Sequence, residues 1–196
     1  MNGIAALPCR RVGGIVLAAL LIGGGIELAA GFWIPAKASL AQHLLENAWE
    51  RSVAGERDAR PWPWADTAPL ARLDAPKLGR SWIVVSGASG RNLAFAPAHM
   101  DGSAMPGERG VAVVAGHRDT HFQALQALTI GDRLALERSD GRRFEYAITA
   151  IDIVDSDRAQ LRLDASESIL TLVTCYPFDA RRAGGPLRYV LTARPR

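Results

Sequence analysis

The chain has 196 residues, a formal net charge of +3 and two cysteines. Once an apolar N-terminal stretch and a linker are set aside, that length suits one globular domain of roughly 120–150 residues, large enough to bury a core without disulfides. The positive charge is almost all arginine, with Lys37 and Lys77 the only lysines, and it is scattered among Asp and Glu rather than gathered into a stripe, which argues against nucleic-acid binding.

Val12 to Ile34 is apolar apart from Glu27 and several glycines. At about 1.5 Å per residue a helix over 12–34 spans a hydrocarbon core of roughly 30 Å. Arg10 and Arg11 precede it, which favours a cytoplasmic N-terminus over residues 1–11 and an exported domain after the span. Trp33 and Lys37 suit the far interface. Glu27 costs about 2.5–3.5 kcal/mol at the bilayer centre and less off-centre. A cleaved signal peptide is the alternative, with Ala36-Lys37-Ala38 as its cleavage site, but the apolar run is longer than that role uses. If the segment spans the bilayer, Cys9 and Cys175 fall on opposite sides and cannot pair within one chain. Cys175 is then a lone thiol: either a small buried hydrophobe or a nucleophile, and the second reading needs a histidine partner.

Residues 35–79 read as a stalk. Ser39 to Arg51 carries Leu40, Leu44, Leu45, Ala48 and Trp49 at helical spacing, with Ser39 as N-cap and His43 on the solvated side. Pro61-Trp62-Pro63-Trp64 reads as extended, since each proline excludes helix for its predecessor. Its tryptophans are expected to pack on the domain, with a membrane surface or a protein partner as alternatives. Asp66 to Leu78 reads as proline-punctuated coil.

From Arg80 to the end the pattern is one of short strands and turns. Ser81–Val85, Val111–Ala115, Leu134–Glu137, Phe144–Val154, Leu170–Thr174 and Leu187–Thr192 are β-rich runs, with a hairpin signal at Asp140-Gly141. Leu93–Ala98 and His121–Leu128 suit short helical turns, Met100–Gly110 a loop, and Asp155–Glu167 a polar connection. Many short strands with little helix predict a β-barrel or sandwich. Cys175 ends one strand, Arg188 opens the next, and His117 follows Gly116 directly at the exit of Val111–Ala115. A strand exit suits a reactive group because the strand fixes the side chain while the loop opens to solvent. His117 and His121 have i, i+4 spacing, but zinc would need a helix there and Gly116 argues for a turn, so no metal is expected. His99 reads as structural, with lining of the same cleft as the alternative.

The elements G-H-R-D-T, L-V-T-C and L-R-Y-V, in this order, resemble a sortase. The approach P-A-H-M-D-G-S-A-M-P-G-E-R-G-V-A-V-V-A-G-H is similar to the segment leading to the sortase histidine. W-P-W-A-D-T, L-A-F-A-P and T-C-Y-P-F-D-A further resemble the marine proteobacterial subgroup. The resemblance covers most of the chain from about Lys37. It implies a mainly β fold, a closed eight-stranded barrel with short helices over 80–196, preceded by the N-terminal transmembrane helix. It also implies a cysteine transpeptidase with Cys175 as nucleophile, His117 as general acid and base and Arg188 as stabiliser of the oxyanion, with Thr174, Asp119 and His99 as supporting or substrate-binding residues. The implied partners are an exported protein with an L-P-x-T-G-like C-terminal signal, cut between Thr and Gly, and an amine acceptor that the sequence does not name. No cofactor is implied, and calcium is not indicated. The implied location is a bacterial inner membrane, single-pass, with the catalytic domain periplasmic. Two other readings stay open: a thiol endopeptidase that resolves the acyl-enzyme with water, and a non-catalytic barrel binding an envelope partner through Trp62 and Trp64.

Overall fold

The computed structural model describes residues 9–180, 182 and 184–196, with the side chains of 9–12, 15, 16, 26, 28–30, 32, 34 and 35 outside the description. Residues 1–8 of the expected cytoplasmic segment 1–11 therefore lie outside the described residues, as do several side chains of the expected 12–34 span. Two compact units are present, Met1–Ala41 and Gln42–Arg196.

Helix α1 covers Cys9–Val53. It runs through Ser39, so that residue caps nothing, contrary to the sequence expectation. Ala36, Lys37, Ala38 and Leu40 are all good helix formers and give the chain no reason to start afresh there. In the first unit Leu17, Leu20, Leu21, Ile22 and Trp33 are exposed, and the Lys37 ammonium sits 4.7 Å above the Trp33 ring. Among the described residues no helix is long and apolar enough to cross a membrane.

The second unit is a closed barrel. Its strands are β1 (Pro69–Ala75), β2 (Arg80–Ser86), β3 (Ala98–His99), β4 (Gly110–Ala115), β5 (Arg133–Arg138), β6 (Arg143–Asp155), β7 (Ser168–Cys175) and β8 (Leu187–Pro195). Around the barrel they run β1-β2-β3-β4-β7-β8-β6-β5. The β2–β3 and β4–β7 pairs are parallel and the others antiparallel. Closure leaves no long strand edge unpaired. The eight-stranded barrel expected from the resemblance is present. It begins at Pro69, however, inside the segment read as coil. The alternation in β1 is carried by Ala71, Leu73 and Ala75, all buried, and two alanines in three inward positions are too weak a β signal to stand out between prolines. Pro61–Trp64 is also not extended: Ala65 N–H donates to Trp62 O at 2.9 Å, closing a turn. Trp62 packs edge-on to Phe95 at 5.0 Å, whereas Trp64 is 81% exposed.

Period-two alternation sorts the side chains between two cores. Inside the barrel lie Leu73, Val84, Val114, Leu136, Ile148, Leu170, Leu172 and Leu191 with their neighbours. Outside it, Ile83, Val85, Ala96 and Ala98 pack with Leu45 and Trp49 from the end of α1. Strand β2 is buried on both faces for this reason, Trp82 and Val84 inward and Ile83 and Val85 outward, and its sequence is correspondingly a continuous apolar run. A short helix, α2 (Gly90–Leu93), is capped by the Ser89 hydroxyl, which accepts from Asn92 N–H. A 3-10 helix covers Gln123–Ala127.

Candidate active site

Three adjacent staves, β4, β7 and β8, carry the residues singled out in the sequence. In the parallel β4–β7 ladder Ala115 pairs with Val173, and Gly116 N–H continues the ladder by donating to Val173 O at 3.1 Å. His117 lies two residues past Ala115 and Cys175 two residues past Val173, so the two follow the last ladder pair at the same end of the barrel. On the other side Cys175 pairs directly with Arg188. Tyr176 N–H donates to Leu187 O at 3.0 Å, so the Cys175–Arg188 pair is of the non-hydrogen-bonded kind, with Cα atoms about 4.5 Å apart and side chains on one face. His117, Cys175 and Arg188 are thus brought to one end of the barrel, with the thiol in the middle. Cys175 is half-buried and His117 exposed.

Thr174, one residue back, points the other way and is buried; its hydroxyl donates to Gly116 O at 2.7 Å. That bond ties the last turn of the thiol strand to the residue before the histidine. Gly116 also has no room for a side chain: a Cβ would meet the Phe122 ring at 2.7 Å. Phe122 is fully buried, packs edge-on to Trp82 at 5.9 Å, and its N–H donates to His117 O at 3.0 Å. The 117–122 segment is therefore folded back over Gly116 and holds the histidine at the rim. Asp119 is largely exposed, and its carboxylate accepts from Arg118 Nε at 3.0 Å rather than from His117. His99 lies at the inner end of β3, buried, with Nε2 within 2.8 Å of Ala104 O and 3.0 Å of Ser103 Oγ. It anchors the β3–β4 loop.

The Arg188 guanidinium donates from Nη1 to Gly185 O at 2.7 Å and to Leu187 O at 2.9 Å. Nε and Nη2 have no hydrogen-bond partner among the described residues, which leaves donors for an incoming oxygen. Beyond Cys175 the chain lines a cleft of about 490 Å³ with Tyr176, Pro177, Phe178, Asp179, Gln123 and Gln126. An aromatic file, Tyr176 to Phe178 to Tyr189, backs it with edge-on contacts at 6.2 and 5.1 Å. A second cleft of about 330 Å³ shares Gln123 and Gln126 and reaches Arg80, Thr120 and His121.

Arg118, Gln123 and Gln126 carry no signal in the sequence, and His121 stands out there only as an i, i+4 partner of His117. Arg118 is 3% exposed and donates four hydrogen bonds. Burial pushes the His121 imidazole below its ordinary value; His117 adds to that, and a hydrogen bond with the Phe95 backbone partly opposes it. Gln123 and Gln126 line both clefts. An arginine in G-H-R-D looks like a surface residue in the sequence, and only the folded loop shows it buried; Gln123 and Gln126 are exposed, and only the fold shows that they line clefts. No group of three or more His, Cys, Asp or Glu that could hold a metal ion occurs among the described residues.

A Sortase-domain family model matches residues 73–196. Sortase D of Bacillus subtilis (strain 168) is 36% identical over 120 residues, covering 61% of this chain and 60% of that protein, so the chain spans less than two thirds of this curated relative. The fold is similar to that of a Clostridium perfringens Sortase D5 transpeptidase, with TM-score 0.58 and 24% identity over 76% of this chain and 88% of that one. Sortase A from Corynebacterium diphtheriae is similar at TM-score 0.60 and 22% identity, covering 79% and 83% of the two chains. A family match that begins within β1 and runs to the end of β8, over a barrel with the same architecture, establishes that this chain belongs to the sortase family.

Proposed function

We propose that the chain is a membrane-anchored cysteine transpeptidase that cuts an L-P-x-T-G-like signal of an exported protein and passes the acyl group to an amine. The observation that supports this reading is the register across β4, β7 and β8, which pairs Cys175 with Arg188 and runs the strand before His117 alongside the strand of Cys175. The Cys175 thiolate attacks the carbonyl carbon of the scissile Thr–Gly bond, forming a C–S bond and an oxyanion. Arg188 donates to that oxyanion; its charge is fixed at every relevant pH, so no proton transfer is needed to prepare it. Collapse breaks the C–N bond, and His117 gives a proton to the departing glycine amine. In the second half, His117 takes the proton from the incoming amine as its nitrogen attacks the thioester, and Cys175 leaves as thiolate. Thr174 and Gly116 position the two strand ends, and the cleft along Tyr176–Asp179 offers room for a peptide beside the thiol.

The anchor is supported by the apolar run over 12–34 and the arginines before it, with the catalytic domain on the periplasmic side of an inner membrane. The W-P-W-A-D-T, L-A-F-A-P and T-C-Y-P-F-D-A elements support placement in the marine proteobacterial subgroup. The test is a transfer assay with a sorting-signal peptide and an added amine such as triglycine. A ligated product that is absent with Cys175→Ala supports transfer. Hydrolysis alone supports a thiol endopeptidase, and turnover that survives Cys175→Ala overturns the thiol chemistry.

A further inference from the structure

Arg118 is a buried guanidinium with no part in the chemistry just described. Removing such a group from water costs several kcal/mol unless its donors are satisfied, and a well-packed apolar residue in its place is often as stable or more so. Here four of the five N–H donors are spent: Nε on Asp119 Oδ1 at 3.0 Å, Nη1 on Pro177 O at 2.9 Å, and Nη2 on Ala180 O at 3.1 Å and Arg182 O at 2.8 Å. So engaged, it is not an oxyanion donor. The origin of its partners is informative. The side chain springs from the residue after His117, and its three carbonyl partners lie two, five and seven residues after Cys175.

We propose that Arg118 is a positioning residue that clamps the loop following Cys175 to the loop carrying His117, and so fixes the spacing of thiol and imidazole. The inference rests on the transpeptidase reading for its consequence in turnover. On one side Phe122 holds His117 through its carbonyl and through the packing on Gly116. On the other side the Arg118 fork reaches across to Pro177, Ala180 and Arg182, in the segment after Cys175. The same segment supplies Tyr176 to Asp179 to the 490 Å³ cleft, so the clamp also fixes that wall. The geometry requires a planar fork with donors aimed in several directions. A lysine keeps the charge but has a single donor atom and cannot span the three carbonyls. Displacing a reacting group by about 1 Å costs on the order of 100-fold in rate.

The test compares the full-length chain in detergent with Arg118→Lys, Arg118→Gln and a control, Tyr146→Phe. Tyr146 binds Gly107 N–H and Ser168 Oγ at the start of β7, seven residues and about 23 Å along the strand from Cys175. Turnover of an L-P-x-T-G-like peptide, melting temperature and amide exchange are measured on all four. The clamp predicts that both Arg118 variants, at temperatures where they are fully folded, lose about 100-fold in kcat. It also predicts faster exchange at Tyr176–Ala180 with barrel amides unchanged, while Tyr146→Phe keeps wild-type kcat. Wild-type kcat in Arg118→Lys overturns it, as does a loss that merely tracks the unfolded fraction. Should the wild type not turn the peptide over, the function reading fails while the clamp is still decided by exchange: unchanged protection at Tyr176–Ala180 in Arg118→Lys overturns it, and selective loss there supports it.

Discussion

The two ends of strand β7 are built from the same strands and behave as opposites. At Ser168 the barrel is closed off by short, well-partnered contacts. Tyr146 Oη receives Gly107 N–H at 3.1 Å and lies 3.0 Å from Ser168 Oγ, Gly110 N–H donates to Glu167 O, Val111 N–H to Leu163 O, and Arg194 pairs with Glu167. At Cys175 the ladder opens instead. The strand pairs with Arg188 on one side and leads to His117 on the other, and two clefts begin within a few residues. The closed end spends its polar groups on the fold, whereas the open end leaves a thiol, an imidazole and part of a guanidinium facing outward. One strand thus serves as both anchor and platform: its Ser168 end is held by the contacts above, and its Cys175 end is left half-buried beside a cleft.

Substitutions at the two ends should therefore fail in different ways. The largest effect belongs to Cys175→Ala, which should abolish peptide turnover while leaving the melting temperature near wild type. Arg188→Ala should follow, with kcat reduced about 10²–10³-fold, the scale for losing one oxyanion donor, and with little change in stability. A matched glycine pair sharpens the contrast. Gly116→Ala would press on the Phe122 ring at 2.7 Å and should lower both stability, by about 1–3 kcal/mol, and kcat. Gly107→Ala, at the closed end, meets the Phe144 ring at 2.1 Å with φ at +86°, and should cost at least as much stability with kcat unchanged in the folded fraction. Equal effects on kcat from both glycines would break the comparison.

The smallest effect is a pH slope. Because the folded-state value of His121 lies below 6.5, the unfolded chain takes up that proton first. Stability should therefore fall as pH drops from about 6.5 towards the folded value, and be flat in this respect above it. His121→Asn should flatten that acid slope, as measured by denaturant melts between pH 7.5 and 5.

The sequence made the open end more legible than the closed one. Cys175, His117 and Arg188 sit at strand ends marked by local signals: a β-rich run stopped by Pro177, a glycine before the histidine, and a Gly-Gly-Pro turn before β8. The barrel strands from β4 onward show because valine, leucine and isoleucine carry the alternation. Strand β1 did not, since its inward residues are mostly alanine, and residues 98–99 form a strand only because they lie between β2 and β4. The role of Arg118 was illegible for a physical reason: whether an arginine is solvated or buried with four partners depends on carbonyls about sixty residues away. The continuity of α1 past Ser39 was missed because a good N-cap residue can also sit inside a helix.

The proposed transfer depends on one step, in which the sulfur of Cys175 takes the acyl group of the cut peptide. Intact-mass spectrometry of the chain after brief incubation with an L-P-x-T-G-like peptide, quenched in acid, tests it directly. A mass increase equal to the acyl portion, located on Cys175, absent in Cys175→Ala and removed by added amine, is the predicted result. An adduct that persists in Cys175→Ala, or peptide cleavage by the wild type with no thioester at any quench time, would contradict it.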